Sequence, residues 1–238
     1  MIDPINLITI SIQQDMQRMN VIANNAANAL TPGFKREYLT AASHFDKQLT
    51  PSSAGDFTAI PTLKLLTDNK TGIPKQTGNG LDIALQGNGY FELNTDNGLA
   101  YTRQGSFHLD DRGRLVSNEG YPVAGINGDI FLTTPTPRID KEGRIFEQDK
   151  FIAQIKVVAF DAALNHVGGG VMIPANYQGK TELQHPRMLQ GQMESSNVDS
   201  TQEMVKMMEV FRHFEASHRM LQAYDDVADK TLRNLGQF

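Results

Sequence analysis

Stepped in threes and fours, the start of the chain carries one apolar stripe: Ile5, Ile8, Ile12, Asp15, Met19, Ile22, Ala26 and Ala29, interrupted only by Asp15. Apolar positions at this spacing share one side of a helix, and their average period of 3.5 residues is that of a coiled-coil seam. The end of the chain repeats the pattern through Met204, Met207, Phe211, Phe214, His218, Leu221, Asp225, Ala228, Leu232 and Leu235, with His218 and Asp225 off pattern. Ser200 and Glu203 have the spacing of a capping box, which predicts a second helix running from there to about Leu235. Such a helix would be roughly 50 Å long and needs a partner along most of its length.

Between the two stripes the pattern changes to short β-prone runs separated by glycine turns. YFEL, Asp96-Asn97-Gly98 and LAYTR read as one hairpin, and SFHL, Asp110-Asp111-Arg112-Gly113 and RLV as the next. Further strands are predicted at 121–126, 129–133, 144–147 and along FIAQIKVVAF, residues 151–160. Residues 37–80 are rich in Thr, Ser, Pro, Asn and Gly, with a weak strand signal at 62–67, and read as an extended linker. The expectation is an α+β chain. Residues 1–36 and 190–238 form a discontinuous, coiled-coil-like helical domain, and residues 81–189 an antiparallel β-rich central domain.

The first helix ends in a polar cuff. Asn24, Asn25 and Asn28 crowd into the stretch ANNAANALTPGFKRE, although asparagine competes for backbone hydrogen bonds and is a mediocre helix former. Thr31-Pro32-Gly33 then stops the helix. The asparagine amides can donate and accept, so they suit contacts with another subunit, with a local cap and turn as the alternative.

Composition excludes several functions. A net charge of −5 with scattered lysines and arginines offers no basic stripe for a nucleic-acid backbone. The absence of cysteine removes disulfides, thiolate catalysis and cysteine-held metals. The N-terminus MIDPINLITISIQQ lacks the features of a cleavable secretory signal, and no apolar run approaches the roughly 20 residues that span a bilayer.

No catalytic constellation emerges either. His213 and His218 are five residues apart and so point to different helix faces, unlike a zinc-binding pair at four. His44, His108, His166 and His185 have no partner at a recognisable spacing. Asp110-Asp111 is hairpin-turn chemistry, and neither Gly87-Asn88-Gly89 nor Gly168-Gly169-Gly170 leads into a phosphate-binding Gly-Lys-Ser/Thr. No cofactor, metal or catalytic residue is expected, which leaves the terminal helices as core or as assembly surfaces.

Three stretches resemble one known family. VIANNAANALTPGFKRE (21–37) is similar to the N-terminal signature of bacterial flagellar rod and hook proteins. GNGYFEL with YTRQGSF and LDDRGRLVSNEGYPVAG (87–125) resembles the family's β-domain hallmark, and LQGQMESSNVDSTQEMVKMMEVFRHFEA (189–216) its C-terminal segment. The resemblance implies terminal helices paired at the inner tube of the flagellar axis with the β domain further out. It also implies export without a cleavable signal through the flagellar type III apparatus, a place in the periplasmic rod, and partners that are copies of itself and neighbouring axial proteins. On that reading the assembly residues are Ile5, Ile8, Ile12, Met19, Ile22, Asn24, Asn25, Asn28, Met204, Met207, Phe211, Phe214, Leu221 and Leu232. Ala26-Ala27-Asn28 and Arg212-His213-Phe214-Glu215 depart from the Leu-Ala-Asn and Arg-Ala-Tyr-Glu of many distal-rod and hook members. Compact size and the stretch at 152–158 favour a proximal-rod subunit, with a distal-rod or hook-type subunit second. A monomeric binding module with a helical stalk is the reading from a different class.

Overall fold

The computed structural model describes residues 4–42, 62–160, 164–168, 170–174 and 179–235, and the chain forms two compact units. The first comprises Met1–Ala27, Glu37–Leu66 and Asp199–Phe238, and the second Asn28–Arg36 and Thr67–Val198. The fold is α+β, with two terminal helices and an antiparallel β-rich central region.

In the first unit, helix α1 spans Pro4–Ala27 and helix α2 spans Ser200–Leu235. Pro4 opens α1 at a position where its missing N–H has no partner to lose. The cap of α2 differs from the expected Ser200 box. It is the carboxylate of Asp199, one residue earlier, that accepts the amides of Thr201 (2.9 Å) and Gln202 (3.2 Å). Glu203 instead turns its side chain toward α1.

The two helices pack on each other. His213 Nδ1 shares a hydrogen bond with Asp15 Oδ2, and Asn25 Nδ2 donates to Glu203 Oε2 at 3.4 Å. Ten residues forward on α1 match ten residues back on α2, so the pair is antiparallel. On α1 the covered side carries Ile8, Asp15 and Ile22, buried, with Ile12, Met19 and Ala26 half-buried, which is the stripe expected from the sequence; Ile5 at its end is more open. On α2 the covered side is Glu203, Met207, Val210, Phe214, Ser217 and Leu221. Met204 and Phe211, on the predicted stripe, lie beside this face and are exposed, as are His218 and Asp225. The side chains of Ala228, Leu232 and Leu235 lie outside the described residues. With 36 residues against 24, α2 is about 18 Å longer than α1. Within the predicted linker, Glu37–Ala42 pairs with Thr62–Thr67.

The second unit is built on a six-stranded antiparallel sheet in the order Leu164–Gly168, Val171–Pro174, Gly98–Thr102, Tyr90–Thr95, Val157–Phe160, Lys180–Glu182. Successive strand residues face opposite sides, and the core divides accordingly. Phe91, Leu93, Ala100, Val157 and Val171 join the main core with Ile83, Leu115, Val123, Ile145 and Ile155, while Tyr90, Tyr101, Val158 and Met172 form a smaller cluster on the reverse face with Leu164. The run 151–160 is two strands, not one. The chain breaks at Ile155 and Lys156 between Lys150–Gln154 and Val157–Phe160, and so serves two sheets.

The break belongs to an internal repeat that the sequence shows once its geometry is known. Asp110-Asp111-Arg112-Gly113-Arg114 recurs thirty residues later as Asp140-Lys141-Glu142-Gly143-Arg144. Each aspartate accepts the amide (2.8 and 2.9 Å) and the Nε (2.8 and 2.7 Å) of its own arginine, and each glycine takes φ 76°. The copies meet at equivalent positions: Ile126 N donates to Gln154 O (2.9 Å) and Lys156 N to Ala124 O (3.0 Å). That reciprocal pairing gives the two loops a local two-fold relation.

Candidate functional site

The three motif stretches converge on one buried carboxylate in the second unit. Glu194 lies on the strand Gln192–Glu194, which pairs with Pro74–Gln76. Its Oε1 accepts Lys35 Nζ (2.5 Å) and the amide of Gly72 (2.8 Å), and its Oε2 accepts Arg103 Nε (2.5 Å). All three charged side chains are about 2% exposed.

Two cations face one anion here, and the surplus positive charge is met by carbonyl oxygens. Lys35 Nζ also donates to Lys70 O (2.7 Å). The Arg103 guanidinium donates to Leu85 O (3.0 Å), Gly87 O (2.6 Å) and Gly89 O, so the Gly87-Asn88-Gly89 turn is a carbonyl cradle for an arginine. Burial pushes Lys35 below the usual lysine range, against the opposing hydrogen bond and charge of Glu194. A group of this kind holds only when every member is present, because removing one partner leaves a charge buried without its counterpart.

Backbone shape admits no alternative at two points around the junction. Gly33 has φ +67°, and a Cβ there would lie 2.6 Å from the carbonyl of Arg103. Its amide donates to Glu194 O (2.7 Å), so the turn that ends the first motif is pressed against the other two. A Cβ on Gly105 would meet Ile83 O at 1.6 Å.

Asn197 extends the junction. Its Oδ1 accepts the amide of Arg36 (2.7 Å), and its Nδ2 donates to Asp68 O (2.9 Å) and Lys70 O (3.0 Å). Arg36 O in turn accepts the amide of Asp68 (2.8 Å).

In the first unit the asparagine cuff has its own arrangement. Asn25, 0% exposed, imitates a strand: its Nδ2 donates to Glu37 O (2.7 Å) and its Oδ1 accepts Glu37 N (2.9 Å). Asn24 Nδ2 reaches Glu37 Oε2 (3.2 Å), and Glu203 Oε1 holds Lys206 Nζ (2.9 Å). Asn25 is therefore engaged within its own chain, while Asn24 is exposed on α1 and Asn28 is half-buried. Thr31 donates its amide to Asn28 O (3.1 Å) and its hydroxyl to Asn28 Oδ1 (3.2 Å), which makes Asn28 part of the turn.

Lys35, Arg103, Glu194 and Asn197 were not singled out from the sequence. Each sits inside a motif stretch, but the partners are 159 and 91 residues apart, a distance that no local pattern spans.

Each ion of the junction also falls in a different region of family similarity. Residues 12–35 match the family described as flagella basal body rod protein, residues 84–181 the flagellar hook protein FlgE/F/G D1 domain, and residues 189–234 the flagellar basal body rod FlgEFG protein C-terminal. The flagellar basal-body rod protein FlgG of Buchnera aphidicola subsp. Schizaphis graminum is 30% identical over 243 residues, which cover 89% of this chain and 92% of that one. The chain belongs to the flagellar basal-body rod protein family. Other rod proteins align nearly end to end. FlgF of Mesorhizobium japonicum is 28% identical over 96% of both chains, and FlgG of Bacillus subtilis 29% identical over 88% of this chain and 90% of its own. Within the second unit of this rod protein, Lys35, Arg103 and Glu194 bring one residue from each of the three regions together.

Proposed function

We propose that the protein is a non-catalytic structural subunit of the flagellar rod that assembles through its terminal helices with copies of itself and with neighbouring axial subunits. The observation that carries the assembly reading is the outer side of α2. Met204, Met208 and Phe211, spaced i, i+4 and i+7, are each half or more exposed beside the face that covers α1. Large apolar side chains in a row on the surface of a soluble unit mark an interaction surface, and methionine suits one that must adapt to several neighbours. Met220 and Val227 continue the exposed apolar character toward the end of α2, as Leu7 and Met16 do on α1.

On this reading α1 and α2 form a short antiparallel coiled coil whose inner seam is Ile8, Ile12, Met19 and Ile22 against Met207, Phe214 and Leu221. Ile5, Asn24, Asn28, Met204, Phe211 and Leu232 serve contacts between subunits, and Asn25 acts by holding Glu37 in place. The subunit resides in the rod within the periplasm and reaches it through the flagellar export apparatus. No described helix is long and apolar enough to cross a membrane.

We favour the proximal rod. Compact size and the stretch at 152–158 favour it. The distal rod is the second reading. The test is incorporation: Phe211→Ala and Ile12→Asp should each block rod assembly and swarming while the purified protein keeps its β spectrum, and Lys230→Ala should be tolerated. Normal rods and swarming in both the Phe211→Ala and the Ile12→Asp variant would remove the terminal helices from the assembly.

A further inference from the structure

The chain crosses between its two units four times, after residues 27, 36, 66 and 198, and within the second unit Asn197 bonds to residues that lie next to two of those crossings while itself lying next to a third. Its side chain binds the amide of Arg36, the last residue before one crossing, and the carbonyls of Asp68 and Lys70, just after another. Asn197 itself lies one residue before the Val198–Asp199 crossing. Arg36 and Asp68 are further joined by a direct backbone hydrogen bond of 2.8 Å. On the inner side the same segments are pinned by Lys35, which bridges Lys70 O and Glu194. Three separate peptide segments, each free to bend alone, are thus laced within the second unit by one amide group whose acceptor oxygen and donor nitrogen are both used.

We infer that Asn197 is a mechanical latch. It ties the three segments into one stiff element of the β-rich unit, so that load reaching any of them is shared by bonded strands instead of three independent ones. The inference rests on the reading of the chain as a load-bearing rod subunit. Its first test does not.

In the full-length purified protein, Asn197→Ala removes all three bonds, whereas Asn197→Asp keeps an oxygen for Arg36 N and loses both donations. Amide exchange at Arg36 and Asp68 should quicken by at least about tenfold in Asn197→Ala. In Asn197→Asp the Arg36 amide should stay protected and only Asp68 should quicken. The core amides of Val123 and Ile155 should be unchanged in both. Unchanged exchange at Arg36 and Asp68 in Asn197→Ala would overturn the latch, and so would a parallel rise at Val123 and Ile155, which would mark Asn197 as ordinary structural support. In cells, Asn197→Ala should build complete basal bodies and swim normally in dilute medium, yet slow more steeply than wild type as viscosity rises. Equal slowing in both media, or missing rods, would contradict a role in stiffness. If complete basal bodies form without the gene altogether, the rod reading fails while the exchange result stands on its own.

Discussion

Replacing Glu194 by alanine is the most severe single perturbation the structure suggests. The substitution removes the carboxylate that both cations bond and leaves Lys35 and Arg103 buried side by side, together with the amide of Gly72. Breaking a buried ion pair costs about 3–5 kcal/mol. Two stranded cations place this case at the upper end, near ~5 kcal/mol, a large share of the roughly 5–15 kcal/mol that holds a domain folded. For a unit of this size, about 2–4 °C per kcal/mol corresponds to a fall in melting temperature on the order of 10–20 °C. Thermal unfolding followed by far-ultraviolet circular dichroism reads this directly. Lys35→Met should cost less, because Arg103 and Glu194 remain a balanced pair, and adding Lys35→Met to Glu194→Ala should recover part of the loss. A Glu194→Ala protein that melts within about 2 °C of wild type would refute the argument that the junction is held by charge.

The other predictions address the remaining parts. Asn25→Ala orphans the buried N–H and C=O of Glu37, at about 1–3 kcal/mol for each group, and should appear as rapid amide exchange in Glu37–Ala42. Phe214→Ala, on the face covering α1, should lower the stability of the helix pair by roughly half of the ~3–5 kcal/mol of a fully buried ring, whereas exposed Phe211→Ala should change it by less than about 0.5 kcal/mol; denaturant melts compare the two. Carboxyl titration by NMR should find Asp110 and Asp140 below their ordinary value of 3.8. The Arg114 amide leads the effect at Asp110, and at Asp140 burial works against it but is outweighed by the Arg144 amide and side chain. Since both are depressed in the folded state, the stability they contribute is complete above pH 3.8 and is lost as the pH falls through the lower folded values, a loss that Asp110→Asn with Asp140→Asn should flatten.

The legible parts of this molecule were those governed by periodicity. The α1 stripe at Ile8, Ile12, Met19 and Ile22 follows from a repeat that any helix obeys, and the hairpin at 90–102 from Asn97-Gly98. On α2 the pattern was ambiguous by one position. Methionine, valine and phenylalanine occupy 207, 210 and 214 as well as 204, 207, 211 and 214, and the polar residues Glu203 and Ser217 hid the covered side because Glu203 is satisfied by Asn25 and Lys206. Asp15 gave the same kind of misdirection: it breaks the apolar stripe yet is buried against His213, a partner 198 residues away. The ionic junction was out of reach for that reason. Its charges lie in recognisable motifs, but only the folded β-rich unit brings Lys35, Arg103 and Glu194 within hydrogen-bonding distance.

The central claim, that this chain is a structural subunit of the rod, is tested most directly by electron microscopy of basal bodies from cells lacking its gene. The account predicts rods that stop short, with no hook or filament, and restoration of full-length rods by the wild-type chain but not by Phe211→Ala. Complete basal bodies bearing hooks in the absence of the gene would contradict it.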